Sequence, residues 1–303
     1  VLTESGAFQP RAKPDKPDKP GKPGGGEDDG GDTTGTTAIT GASWEGGLVA
    51  DTTGKVLFVM GGSYYVCSAS VVTDGAAGRS IVLTAAHCVY DETADMDEGF
   101  ASNWMFIPNY DASPASLNKS GSFCDETQYG CWTAEHLVVH NGFASAGAFN
   151  DQAVVHDFAF AVMGLGGGGK NGSTDVLVES IVGSQNLVIG SNGADERVDA
   201  FGYPAVQKYK GKDLVYCEGL TGFDPNVGNE TYKLGCEMTG GSSGGPWLKN
   251  FNPETGVGDL TSLNSYGYSG DKSMHGPKFD GNTALLFSEA LVTTSNVVVV
   301  VVP

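Results

Sequence analysis

The sequence lacks any apolar run long enough to cross a membrane. The six valines from Val297 to Val302 fall far short of the ~20 residues a spanning helix needs. Positive charge is also scarce. Lys and Arg number 17 against 36 Asp and Glu, giving a formal net charge of −19. That balance argues against nucleic acid and anionic membranes as partners. The six cysteines contain no CxxC pair, so no zinc site is written in them. Long stretches of 3.6-residue periodicity are few. Short Val, Ile, Tyr and Phe runs between Gly, Asn and Asp turns take their place. With Gly at 46 of 303 residues, the chain reads as mostly β.

What is present centres on Thr239-Gly240-Gly241-Ser242-Ser243-Gly244-Gly245-Pro246-Trp247. Glycine loses more backbone freedom on folding than any other residue, so such a run needs a reason. A nucleophilic serine beside an oxyanion site supplies one. Its hydroxyl must stand clear, and the amides of Gly241 and Ser243 must point at one spot. Two partners lie upstream. The apolar run Ile81-Val82-Leu83 reads as a buried strand that delivers His87 within Thr84-Ala85-Ala86-His87-Cys88. Asp157 opens a second apolar strand, Phe158 to Val162. Base, orienting acid and nucleophile thus follow in chain order. His136, His140, His156 and His275 compete with His87 but lack its context. His156 adjoins Asp157, yet neighbours in an extended segment point to opposite faces. Asp151 is the rival acid and lacks the Phe-Ala-Phe that follows Asp157.

These motifs resemble the secreted chymotrypsin/trypsin-like serine endopeptidases, in particular the bacterial glutamyl-endopeptidase-like branch. Cys67-Ser68-Ala69-Ser70, Thr84 to Cys88, Asp157 to Phe160, Gly202-Tyr203-Pro204 and Gly240 to Pro246 carry the resemblance, in order. It implies an all-β fold of two six-stranded antiparallel Greek-key β-barrels with a short C-terminal helix. It implies a Ser-His-Asp triad of Ser243, His87 and Asp157, with an acyl-enzyme intermediate and no cofactor or metal. Substrates would be proteins or peptides, and the protein would act as a monomer. Six cysteines allow about fifteen pairings. The resemblance selects Cys67–Cys88, Cys124–Cys131 and Cys217–Cys236, and disulfides imply a secreted, extracellular or periplasmic setting. No leader opens at Val1, which reads as a chain that starts after signal removal.

Specificity is less clearly written. Glu237 stands six residues before Ser243, where trypsin-like relatives carry the acid that selects Lys or Arg. Ser265-Tyr266-Gly267 resembles the segment that lines a pocket wall and pairs with substrate backbone. Glu-specific relatives place a histidine just before that segment, and here stands Asn264. Met238 replaces a small hydroxyl residue, and the neutral Ser242 argues against zymogen control through an ion pair. Cleavage after Lys or Arg is the reading preferred. Cleavage after Glu, or a non-catalytic binding protein on the same fold, are the alternatives.

Along the chain, residues 1–42 are low in complexity, with a Pro/Asp/Lys repeat and a Gly/Asp run. They read as a disordered tail or pro-segment remnant. Residues 43–163 make the first barrel, 164–173 a Gly-rich linker, 174–296 the second barrel and helix, and 297–303 a Val-rich end, either a last strand or frayed. Strands are expected over Gly54–Met60, Ser63–Val72, Trp104–Pro108 and Trp132–Val139. The second half adds Asp175–Val182, Asn186–Ile189, Val198–Tyr203, Leu214–Cys217, Pro246–Leu248 and Leu260–Tyr266, with a helix around Ala284–Leu291. The acidic run Asp91, Glu92, Asp95, Asp97, Glu98 fits no calcium template and reads as an exposed loop.

Overall fold

The computed structural model describes residues 2–4 as backbone, and 39–75, 78–95, 98–110, 123–170, 173–190, 193–206 and 209–301 in full. Strands β1 (Leu2–Glu4) and β2 (Ile39–Ser43) and helix α1 (Gly47–Thr52) come first. Six strands follow: β3 (Thr53–Met60), β4 (Ser63–Val72), β5 (Ser80–Thr84), β6 (Ser102–Pro108), β7 (Gly130–His140) and β8 (Ala159–Met163). Helices α2 (Asn141–Ala144) and α3 (Asp151–Val155) lie between β7 and β8. The six strands pair antiparallel in the ring β3-β4-β5-β8-β7-β6 and back to β3, a closed barrel. Gly61 and Gly62 join β3 to β4 with positive φ of 55° and 79°, as a two-residue hairpin turn of matching twist requires. All five residues of β5 are buried, the mark of a strand covered on both faces.

Beyond the short β9 (Gly167–Gly168), which pairs with Gly130 and Cys131, helix α4 spans Val178–Val182. Val178–Val182, the greater part of the strand expected over Asp175–Val182, is therefore a helix, while Val176 keeps a single β-bridge to Gly166. One helical turn is too short to show a 3.6-residue period, and packing overrides the β preference of its valines.

The second half carries β10 (Asn186–Leu187), β11 (Arg197–Gly202), β12 (Val215–Leu220), β13 (Gly222–Phe223), β14 (Thr231–Gly235), β15 (Pro246–Asn252), β16 (Val257–Leu263), β17 (Tyr266–Tyr268) and β18 (Ser273–Pro277). They form two sheets, β10-β16-β15-β11-β12-β2 and β1-β17-β18-β14-β13. Val198, Val215, Tyr232, Leu234, Trp247 and Met274 make a core shared by both sheets. The chain is thus mostly β, with a closed six-stranded barrel first and a short C-terminal helix, α5 (Gly281–Ala290), near its end.

The two ends of the chain cross over. Ile39–Ser43 pairs with β12 of the second half and Leu2–Glu4 with β17, so parts of the 1–42 stretch read as a tail carry strands. Trp44 anchors it against Phe201, Tyr216 and Phe251. At the other end α5, capped by Asp280, packs on the first barrel through Phe287 against Phe160. A last strand, β19 (Val297–Val299), lies parallel to β7. That pairing gives part of the valine run a structural place. The three disulfides are Cys67–Cys88, Cys124–Cys131 and Cys217–Cys236. In the acidic run Glu92 is buried rather than exposed, and Asp97 lies outside the described residues.

Candidate active site

Strand β5 ends at Thr84 and a single 3₁₀ turn, Ala86–Cys88, presents His87. The carboxylate of Asp157, at the entry to β8, holds that histidine twice. The His87 backbone amide donates to Oδ1 at 2.9 Å, and Nδ1 meets Oδ2 at 2.7 Å. An ionised carboxylate only accepts, so Nδ1 carries the proton and Nε2 presents its lone pair. The Ser265 hydroxyl donates to the same Oδ2 at 2.5 Å. Asp157 is fully buried and His87 nearly so. Phe149 meets the imidazole nearly at right angles, with 5.4 Å between ring centres.

Ser243 sits in the loop between β14 and β15, and that loop is docked on the barrel that carries His87. The Ser68 amide donates to the Ser243 carbonyl at 2.7 Å. The Ser68 hydroxyl donates to the Gly241 carbonyl at 2.8 Å and accepts from the Tyr203 amide at 2.8 Å. Cys88, the residue after His87, places its sulfur 3.9 Å from the Ser243 carbonyl oxygen. Gly241 and Gly244 have φ of 100° and 81°, a region costly for any residue with a Cβ. A Cβ on Gly244 would run into the Thr84 hydroxyl and the Ser68 carbonyl. Glycine is thus the residue that lets the serine loop and the histidine strand touch.

Asn264 has a role that its place in the sequence did not reveal. It is buried, accepts from the Trp247 indole at 2.8 Å, and donates to the carbonyls of Phe201 at 2.7 Å and Ser242 at 3.1 Å. Its amide is spent on holding the serine loop. Ser265 also acts in a way the sequence did not announce, through Asp157. Its place at the head of Ser265-Tyr266-Gly267 was the available signal.

Tyr266 and Gly267 form β17, which rests on a buried polar cluster. The hydroxyls of Tyr266 and Tyr268 each donate to Asp224 Oδ2 at 2.7 Å, and the Asn226 amide donates to Oδ1 at 3.0 Å. Burial pushes the Asp224 carboxyl up, but the hydroxyls of Tyr266 and Tyr268 outweigh it and hold the group below its usual range. Burial and Asp224 push Tyr268 up to about 12. His275 stacks on Tyr266 at 4.7 Å, and burial lowers its pKa. Glu237 is partly exposed and pairs with Lys272 at 2.8 Å. The other histidines lie elsewhere: His140 stacks on His156 at 4.4 Å, beyond the end of α3 rather than in an extended segment. Asp151 is exposed in the first turn of α3.

Solved structures with this architecture name the family. The protease Anisep of Arthrobacter nicotinovorans is 32% identical with a TM-score of 0.65, over 85% of this chain and all of that one. The thermostable serine protease AL20 from an extremophilic microorganism is 33% identical with a TM-score of 0.66, over 81% of this chain and 99% of that one. The chain belongs to the chymotrypsin-like serine proteases. A Glu endopeptidase aligns at 16% identity and a TM-score of 0.58, over 84% of this protease and 98% of that one, and shares the fold alone. No family model and no curated protein matches this protease. Among its described residues the one clustered set of potential metal ligands is Cys67, His87 and Cys88. Both sulfurs there are spent in a disulfide.

Proposed function

We propose that this chymotrypsin-like protease is a secreted serine endopeptidase in which Ser243, His87 and Asp157 act together. The observation that carries the reading is the double hold of Asp157 on His87, braced by Ser265. With Nδ1 protonated, Nε2 takes the Ser243 proton as the hydroxyl attacks a peptide carbonyl. The amides of Gly241 and Ser243 receive the oxyanion, each such donor contributing about 3 kcal/mol to transition-state stabilisation. His87 then protonates the leaving amine, and water resolves the acyl-enzyme by the same route. Asp157 stabilises the imidazolium between these transfers. The three disulfides support an oxidising setting.

Cleavage after Lys or Arg is the specificity we propose, because Glu237 stands six residues before Ser243. Lys272 already occupies that carboxylate and raises the selectivity question: an incoming cation must displace it. Hydrolysis of a peptide library tests both levels. Wild-type protein should cut internal bonds and Ser243→Ala should lose more than about a thousandfold in rate. Cuts after Lys or Arg should fade in Glu237→Gln. Absence of hydrolysis by folded wild-type protein favours the non-catalytic alternative, and cuts after Glu alone favour the glutamyl one.

A further inference from the structure

Strand β17 offers an edge to which an extended peptide can add, and the chain fills that edge with itself. β1 pairs antiparallel with it in the register Leu2↔Tyr268, Thr3↔Gly267, Glu4↔Tyr266. We propose that β1 is an intramolecular occupant of the peptide-binding edge, in competition with the acyl side of a substrate. The proposal rests on the endopeptidase reading, which makes Ser265-Tyr266-Gly267 the strand that pairs with substrate backbone.

Three observations carry it. Polarity is the first. β1 runs so that its C-terminal end, Glu4, lies opposite Tyr266. The next residue back along that strand is Ser265, whose hydroxyl binds Asp157. The segment therefore heads toward the catalytic side chains in the direction of a substrate's acyl half. Availability is the second. On its other side β17 pairs with β18 only at Tyr266↔His275, and the Tyr266 and Tyr268 hydroxyls are anchored on Asp224 beneath. That support keeps the edge extended and ready for strand addition, a mode in which main-chain hydrogen bonds supply the affinity. Tethering is the third. A three-residue strand brings a few hydrogen bonds of about 1 kcal/mol each, too little for a free tripeptide. Residues 5–38 join it to the rest of the chain, so docking is intramolecular and needs far less affinity than a free peptide would. Occupancy of that strength is displaced by a substrate that also fills side-chain pockets, and raises KM without touching the chemistry.

The test replaces Thr3 and Glu4 together by proline, which removes two amide donors whichever of them faces β17. Amide exchange at residues 266–268, followed by mass spectrometry, reads occupancy without any need for catalysis. In T3P/E4P it should quicken at least tenfold. KM for a fixed peptide should fall about three- to tenfold, with kcat unchanged. Unchanged exchange overturns the proposal, and so does faster exchange with KM unaltered. If exchange quickens while neither form hydrolyses any peptide, strand docking stands and the endopeptidase reading fails.

Discussion

Asp157 is held by two donors from His87 and one from Ser265, and the three residues are far apart in sequence. Motif spacing brought His87, Asp157 and Ser243 forward as candidates, because each stands in a context that the proposed triad explains. Ser265 and Asn264 were harder to read, since what they touch lies on other strands. A different residue shows a cost of folding. Lys55 is nearly buried, donates to the Gly211 carbonyl at 2.7 Å, and stands 4.5 Å over the Tyr110 ring. Burial lowers its pKa from 10.5 to about 8. The unfolded chain therefore holds more protons between pH 8 and 10.5, and stability rises with pH across that window. Below pH 8 the full penalty applies. Lys55→Met should stabilise the protein at pH 7 by roughly 1–3 kcal/mol. Most of that gain should vanish by about pH 10.5. Urea unfolding at the two pH values checks it, and a destabilised variant at pH 7 would refute the burial argument.

At the scale of elements, the serine loop meets the histidine strand across Gly244. Adding one methyl there forces a positive-φ alanine against Thr84 and Ser68. Gly244→Ala should lower kcat by at least about a hundredfold, because a shift of 1 Å in a reacting group costs that much. Steady-state kinetics beside a thermal melt separate this from simple unfolding, and near-normal kcat would show that the loop has room. The glycine run announced this element from sequence alone. Helix α4 did not announce itself. Val178, Ile181 and Val182 favour a strand locally. The turn is nonetheless fixed by what surrounds it: the Ser80 hydroxyl accepts from the Glu179 amide at 3.1 Å, and Gly183 leaves with φ of 75°. Such tertiary partners are invisible in a short apolar run.

At the scale of the molecule, each end of the chain is stitched to the half it is farther from in sequence. β2 joins β12, and β19 joins β7. The mostly-β class and the order of the strands were legible from turn residues and short apolar runs. The crossing of the ends was not, because pairing across more than 150 residues leaves no local mark. The proposed function depends on the claim that this packing gathers Ser243, His87 and Asp157 into one catalytic site. The most direct measurement is labelling of the folded protein with a serine-directed fluorophosphonate, mapped by peptide mass spectrometry. One adduct per chain, on Ser243, and its loss in His87→Ala is the result expected. A folded, unlabelled wild-type protein, or an adduct that persists on Ser243 at the same rate without His87, would contradict it.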